Sequence, residues 1–365
     1  MKKKFEHIEL LRFFSALAVI ITHYIHFFNP FFKSSNVAVY KSHLIFDNTV
    51  LPFYNFLEYA YRFGYTGVYF FWLISGFVLA HTYLNKDKFN IKFKNFFINR
   101  FARLYPLHFL TLILVLIFQL ILTHETGSHQ IIDNILYEGK NDLKNFFYQL
   151  FFISGWIENS KFSFNFPIWS VSIEIIIYFL FFFLISYLYK FKLSLSISVF
   201  LFFLFLEKSE FDLFFHGCGR YFFSGVLLYI ICEKVENKYY ILSLAITLLL
   251  LNFVGNFKYN LFFSSVVLLA YYLDSSTHYK LRGYYSNLGN LTYASYLIHI
   301  PTQLVIIYLT SKFNFSFEIF KNSYFFIFYL FVIFFLSHIS FKFYENPIRI
   351  FIRKSFNKKN FDFNS

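Results

Sequence analysis

The chain contains few cysteines and few charged residues. Only two of its 365 residues are cysteines, Cys218 and Cys232, and both lie in or beside one apolar segment. Two cysteines in that setting indicate neither a disulfide framework nor a metal site, so we expect no bound metal. Charged residues make up 15% of the sequence, against about 25% in typical soluble domains. This scarcity argues against an ordinary soluble globular protein.

Long apolar segments account for the low proportion of charged residues. The sequence is 58% hydrophobic, with a mean hydropathy of +0.52, and segments near the membrane-spanning length recur along nearly all of it. We therefore predict an all-α fold, a polytopic transmembrane helical bundle of about ten spans. The predicted spans are 10–28, 65–84, 104–123, 168–189, 193–206, 217–232, 240–254, 260–273, 291–310 and 323–342.

Basic residues orient the predicted bundle. The net charge of +13 is compatible with nucleic-acid binding, but Lys and Arg cluster at the ends of the apolar segments, which is typical of membrane orientation. One set of connections carries roughly twice as many of them as the other, which places that set and both termini in the cytoplasm. We predict a single transmembrane domain over residues 1–349 and a basic, disordered cytoplasmic tail over 350–365. The expected partner is the lipid bilayer and not nucleic acid.

The first apolar segment, LLRFFSALAVIITHYIHFF, carries Arg12 near its start and His23 deep inside. They are separated by about 16 Å along a helix, which puts His23 beyond the bilayer midplane if Arg12 lies at one face. Ionisable residues at that depth are costly and indicate a functional site. The structural alternative is a buried histidine that is hydrogen-bonded to a neighbouring helix.

A carboxylate lies at a similar depth in the fourth segment. Glu174 is about 9 Å below the outer face and His23 about 10 Å, so the two residues can share one level. A carboxylate beside an imidazole orients its tautomer and raises its basicity, as a general base requires. A structural ion pair is the alternative interpretation.

Other polar residues add candidates with their own alternatives. Arg100 and Arg103 share a helix face at the inner end of the third span, where they either bind phosphates or anchor the helix at the cytoplasmic surface. Ser75 precedes Gly76 and serves either chemistry or helix packing. Tyr296 and His299 lie in the ninth span, where His299 either lines a cavity or makes an interhelical hydrogen bond.

Six stretches together resemble the membrane acyltransferase-3 family of integral-membrane O-acyltransferases that modify bacterial surface glycans. They are Arg12 through His23, FFWLISGF at 70–77, NRFARLYP at 99–106, PIWSVSIEIIIYF at 167–179, SYLIHIP at 295–301 and YENP at 344–347. They occur in the family's order and cover almost the whole chain.

The resemblance implies a ten-helix domain that takes an acyl group, usually acetyl, from cytoplasmic acyl-CoA and passes it to a sugar hydroxyl at the outer face. It implies that His23 is the essential histidine, that Arg12 belongs to the same motif, and that Glu174 is the fourth-helix carboxylate. Arg100 and Arg103 would belong to the donor-binding motif. Ser75 would belong to the family's SGF signature.

On this interpretation His23, assisted by Glu174, is the catalytic base or briefly accepts the acyl group, and Arg12 joins the two later arginines at the phosphates of acetyl-CoA. The donor is a substrate, and we expect no permanently bound cofactor. Hydrogen-bond donors to the developing oxyanion, and contacts to the substrate, would come from a further set: Ser75, Trp169, Ser170, Tyr296 and His299.

Some features of the predicted enzyme stay open at the level of sequence. Many family members carry an appended extracytoplasmic domain, and since we expect none in this protein, a separate partner protein is an open alternative. The acceptor is expected to be a surface or lipid-linked glycan, such as capsule or lipopolysaccharide, at a bacterial plasma membrane. The competing hypotheses are a transporter or flippase and a glycan polymerase, neither of which would need acyl-CoA.

Overall fold

All regular secondary structure in the described part of the chain is helical. The computed structural model describes residues 5–28, 48, 50–84, 92–126, 141–157, 162–206, 213–254, 259–276 and 284–356. The helices are α1 (Glu6–His23), α2 (Tyr54–Phe63), α3 (Gly67–Leu84), α4 (Phe93–Thr126), α5 (Leu143–Leu150), α6 (Ile168–Lys190), α7 (Lys192–Leu206), α8 (Leu213–Lys234), α9 (Lys238–Val254), α10 (Asn260–Ser276), α11 (Tyr284–Lys312), α12 (Ser323–Ser340) and α13 (Asn346–Phe356).

Each of the ten predicted spans coincides with a helix. Six segments are long and apolar enough to cross a bilayer, and α7 and α9 are shorter apolar helices. The prediction of a multi-pass helical membrane protein is therefore confirmed, whereas the count of ten spans and the cytoplasmic position of both termini stay predictions. The six segments are Glu6–Phe28, Tyr54–Leu84, Phe93–Ile121, Ile168–Lys190, Phe214–Lys234 and Ser323–Phe356.

The two long connections between predicted spans, 29–64 and 124–167, contain helical structure. Helix α2 occupies the end of the first, and α5 with a 3-10 turn at Ser154–Trp156 occupies part of the second. Asp142 caps α5, since its side chain accepts a hydrogen bond of 2.8 Å from the Asn145 amide. Such a cap satisfies a backbone donor that has no partner within the helix. Much of both connections lies outside the described residues.

The chain divides into two compact units. The first comprises Met1–Leu17, Thr66–Asn90 and Ile173–Asn290, and the second comprises Ala18–Tyr65, Ile91–Ser172 and Leu291–Ser365. In the first unit α3 and α8 cross closely. A Cβ atom on Gly76 would clash with the Phe222 carbonyl, and one on Gly225 would clash with the Leu73 carbonyl. Small residues at such a crossing let the two backbones approach, which is how membrane helices associate.

In the second unit, aromatic side chains pack around the end of α1. Tyr24 is fully buried, donates a hydrogen bond of 2.9 Å to the Phe320 carbonyl, and contacts the rings of Phe326 and Tyr329. Helix α2 is attached to α1 because Thr22 donates to the Ala60 carbonyl at 2.7 Å. These contacts fix the position of the residue between Thr22 and Tyr24, which is His23.

The C-terminal part of the second unit is helical further than expected. A π-helical segment, Phe341–Glu345, joins α12 to α13, and α13 extends to Phe356. The segment 350–356, which we predicted as the beginning of a disordered tail, is therefore a helix. Residues 357–365 lie outside the described residues.

Candidate active site

His23 lies at a break in helical geometry. Helix α1 ends at His23, and residues Tyr24–Phe28 continue as a 3-10 helix. The change from α to 3-10 geometry leaves backbone carbonyls at the end of α1 without their usual intrahelical donors. Gln303 on α11 supplies one, because its Nε2 donates to the His23 carbonyl at 2.8 Å. The backbone at His23 is thus held from a neighbouring helix.

The His23 side chain is hydrogen-bonded to a second histidine. Its Nδ1 lies 2.8 Å from Nε2 of His299, and Nδ1 of His299 lies 3.2 Å from the Ser295 carbonyl oxygen. A carbonyl oxygen only accepts, so Nδ1 of His299 carries a proton. In a neutral ring the Nε2 of His299 is then an acceptor, and Nδ1 of His23 donates to it.

This chain of hydrogen bonds selects a tautomer of His23. With the proton on Nδ1, the Nε2 atom of neutral His23 carries the free lone pair. Among the residues that the structure describes, none hydrogen-bonds to that Nε2. His23 is only partly buried, whereas His299 is fully buried. The arrangement gives His23 the hydrogen-bonding state of a general base.

Aromatic rings enclose the histidine pair. The His23 and His299 rings are nearly parallel, at 17° with centroids 5.1 Å apart, and the His26 ring lies nearly parallel to that of His23, also at 5.1 Å. Phe166 packs edge-on against both His23 and His26 at 4.8 and 5.4 Å. Apolar walls restrict water and strengthen the electrostatic interactions of the rings. No group of three or more His, Cys, Asp or Glu side chains within the described ranges is arranged to hold a metal ion.

Two hydroxyl groups lie at the start of α6, beside His299. The Ser170 and Tyr296 oxygens are 2.8 Å apart, and each also lies within hydrogen-bond distance of the Pro167 carbonyl, at 3.0 and 3.1 Å. These three contacts involve only two hydroxyl protons. One proton can therefore be donated to another acceptor while the other hydroxyl still donates to the Pro167 carbonyl. The Tyr296 and His299 rings are 6.2 Å apart. Trp169 precedes Ser170 and is partly exposed.

The segment before α6 is anchored by a buried amide. Asn165 donates through Nδ2 to the Thr111 hydroxyl at 2.9 Å and to the Leu297 carbonyl at 3.1 Å. These bonds attach the segment that carries Phe166 to α4 and to α11. The second unit therefore brings together His23, His299, Tyr296, Ser170 and Trp169 from three separate parts of the sequence.

Three candidates belong to the first unit. Glu174 is buried and accepts a hydrogen bond of 2.7 Å from the Tyr178 hydroxyl. Arg12 forms an ion pair of 2.9 Å with Glu9. Ser75 lies beside Gly76 at the close crossing of α3 and α8. The predicted partnership of Glu174 with His23 stays a prediction, as does the contact of Arg12 with a phosphate.

The arginine pair lies in the second unit, on the first turns of α4. Arg100 and Arg103 are both partly buried. Arg103 interacts electrostatically with Arg349 of α13, which in turn interacts with Glu345. The Tyr293 hydroxyl donates to the Leu104 carbonyl at 2.7 Å, which ties this part of α4 to α11. The predicted role of the two arginines in donor binding stays a prediction.

Sequence reasoning missed three residues of this site: His26, Phe166 and Gln303. Two of them carried a signal. His26 follows His23 by three residues, and Gln303 follows His299 by four, so each lies near a predicted site residue on its own helix. Phe166 carried none, because it is one of 62 phenylalanines and nothing in its neighbours distinguishes it.

Comparison with known proteins identifies the family of the chain. The model of the acyltransferase 3 family, described as an acyltransferase domain, matches residues 5–341. No curated protein matches the chain, and no solved structure does. The matched range includes every candidate site residue named from the sequence.

Proposed function

Because the chain belongs to the acyltransferase 3 family and is therefore a multi-pass membrane acyltransferase, we propose that it moves an acetyl group from cytoplasmic acetyl-CoA to a glycan hydroxyl. The acceptor is a lipid-linked or surface glycan at the outer face of a bacterial plasma membrane. The family match favours this enzyme over the transporter and polymerase hypotheses, since neither of those requires acyl transfer.

The observation that carries the proposed chemistry is the hydrogen-bond chain from the Ser295 carbonyl through His299 to His23. It favours the tautomer in which Nε2 of His23 accepts a proton. In the proposed reaction that atom takes the proton of the acceptor hydroxyl while the hydroxyl oxygen attacks the thioester carbonyl. The carbon–sulfur bond then breaks, the coenzyme A thiolate leaves, and the proton on His23 is available to neutralise it.

His299 acts in this proposal as the residue that positions His23. It holds the imidazole in one orientation and shares the charge that develops when His23 is protonated, as the third residue of a catalytic triad does. Glu174 remains part of the proposal as a carboxylate that supports the protonated state. Transient acylation of His23 is the alternative route, and it uses the same nitrogen.

Hydroxyl groups are proposed to stabilise the tetrahedral intermediate. Its oxyanion requires hydrogen-bond donors that are already in position. Tyr296 and Ser170 are suitable donors because their two hydroxyl protons are shared among three contacts. One of these protons can be donated to the oxyanion instead. Ser75 and Trp169 are the remaining candidates for contact with the substrate. Arg100 and Arg103, with Arg12, are proposed to bind the phosphates of the donor, since guanidinium groups bind phosphate through paired hydrogen bonds.

The experiment that tests the proposal is transfer of radiolabelled acetyl from acetyl-CoA to glycan in membranes that contain the protein. We expect transfer by the wild type and none above background by His23→Ala. His338→Ala is the matched control, because His338 is an exposed histidine of α12. Full activity of His23→Ala would contradict the mechanism.

The same membranes test the acceptor and the need for a second protein. Mass spectrometry of the glycan from cells with and without the gene identifies the acetylated sugar, and purified protein in nanodiscs shows whether transfer requires an extracytoplasmic partner. Lack of transfer from any acyl-CoA to glycan in these membranes would contradict the proposed donor.

A further inference from the structure

Helix α13 lies against the end of α4 that carries the predicted donor-binding arginines. The two helices pack together, and the Tyr344 hydroxyl, in the π-helical segment before α13, donates to the Pro106 carbonyl of α4 at 3.2 Å. Helix α13 contributes two arginines of its own, Arg349 and Arg353, one turn apart and both partly buried. They duplicate on α13 the pair formed by Arg100 and Arg103 on α4.

The charge at this contact is unbalanced. The Arg349 guanidinium interacts electrostatically with the Arg103 guanidinium and with the Glu345 carboxylate. Glu345 is the single acidic residue within the described residues 92–110 and 341–356, two segments that contain four arginines, Arg100, Arg103, Arg349 and Arg353. Like charges that are brought together away from bulk water repel strongly. A fold that keeps them together is suited to hold an anion of several charges.

The hydrogen bonding of Arg349 also indicates a site for an anion. One of its terminal nitrogens donates to Asn346 at 2.6 Å, and its guanidinium lies over the Phe341 ring at 5.8 Å from the centroid. Its Nε is buried and donates to no side chain or carbonyl of the described residues. A buried donor without an acceptor is costly, and a phosphate oxygen is an acceptor that a guanidinium binds well.

We propose that Arg349 and Arg353 join Arg100 and Arg103 in one site that binds a phosphate-bearing anion. The proposal extends the proposed function, because the phosphates of acyl-CoA are the anions which that function supplies. Helix α13 is then part of the donor site, and the π-helical segment sets its position against α4. An anionic phospholipid headgroup offers the same chemistry, and the experiment below separates these two sources.

The test measures binding by the full-length protein in nanodiscs of zwitterionic lipid. Coenzyme A is titrated by calorimetry against wild type, Arg349→Gln, Arg353→Gln and Lys354→Gln. Lys354 is the matched control, since it is an exposed cation on the same helix. We expect each arginine variant to weaken coenzyme A binding about tenfold, the loss expected for one charge-assisted hydrogen bond, and Lys354→Gln to bind like the wild type.

A second arm uses nanodiscs that contain phosphatidylglycerol, with retained lipid counted by native mass spectrometry. Loss of retained lipid in the arginine variants, with coenzyme A affinity unchanged, assigns the site to a lipid headgroup. Wild-type binding of both ligands by Arg349→Gln and Arg353→Gln overturns the proposal. If Arg349→Gln does not fold, Arg353→Gln carries the test. Failure here leaves acyl transfer and its dependence on His23 untouched, so it is distinguishable from failure of the proposed function.

Discussion

Nδ1 of His23 and Nε2 of His299 are 2.8 Å apart, although the two residues are separated by 276 positions in the sequence. The bond joins the end of α1 to the middle of α11, and its direction follows from the Ser295 carbonyl that His299 contacts. In the proposed mechanism, the basicity of His23 therefore depends on a residue that does not touch the substrate.

The first prediction concerns His299. His299→Ala removes the acceptor for the His23 Nδ1 proton and releases the ring, so kcat should fall by roughly 10²–10⁴, the range typical of a general base. His299→Gln places an amide oxygen near the lost Nε2 and should recover part of the activity. The readout is acetyl transfer, with kcat and KM determined separately. Equal losses in the two variants, or a loss confined to KM, would argue against a positioning role.

The second prediction concerns Tyr296. Tyr296→Phe removes a hydroxyl from the group that surrounds the Pro167 carbonyl, while the Ser170 contact to that carbonyl is retained. If the tyrosine proton serves the oxyanion, kcat should fall by roughly 10- to 10³-fold with little change in KM. Ser170→Ala is the companion variant, and the thermal midpoint of both shows whether folding is affected. Unchanged kcat in both variants would remove these hydroxyls from the mechanism.

The third prediction concerns Glu174. Glu174→Gln keeps the size and the hydrogen bond from Tyr178 but removes the charge. If the carboxylate supports protonated His23, kcat should fall by about tenfold or more, the effect of a loss of about 1.4 kcal/mol. Tyr178→Phe is the control, because it changes the same neighbourhood and leaves the charge in place. A Glu174→Gln enzyme with wild-type kcat would assign the carboxylate a structural role.

The fourth prediction concerns stability at the crossing of α3 and α8. Gly76→Ala places a Cβ against the Phe222 carbonyl, and relief of that clash should cost about 1–3 kcal/mol of unfolding free energy. Gly217→Ala is the matched control on α8. Its Cβ would meet only the Trp72 ring, at 3.9 Å, so stability should be unchanged or slightly higher, since alanine favours a helix. Thermal unfolding in one detergent compares the two, and equal midpoints would contradict the close crossing.

The positions of the helices and the ionisable site residues were predictable from local sequence. Apolar segments of membrane-spanning length have few alternatives to a helix, because each backbone polar group must be satisfied within the segment. His23 and His299 were identifiable because an imidazole within such a segment is costly unless it has a use or a partner. The arginine pair on α4 was visible because its two residues are three apart and lie at the inner end of an apolar segment.

The partners of these residues were decided by the tertiary structure. Positions along a helix give depth in the membrane, and depth alone left His23 able to meet any polar group at its level, Glu174 among them. The rotation of α1 and α11 about their axes selected His299, and it also introduced Gln303, which was not among the residues named from the sequence. Side-chain identity along the chain thus determined which residues bear chemistry, whereas helix rotation and packing, which no local pattern encodes, decided which of them touch.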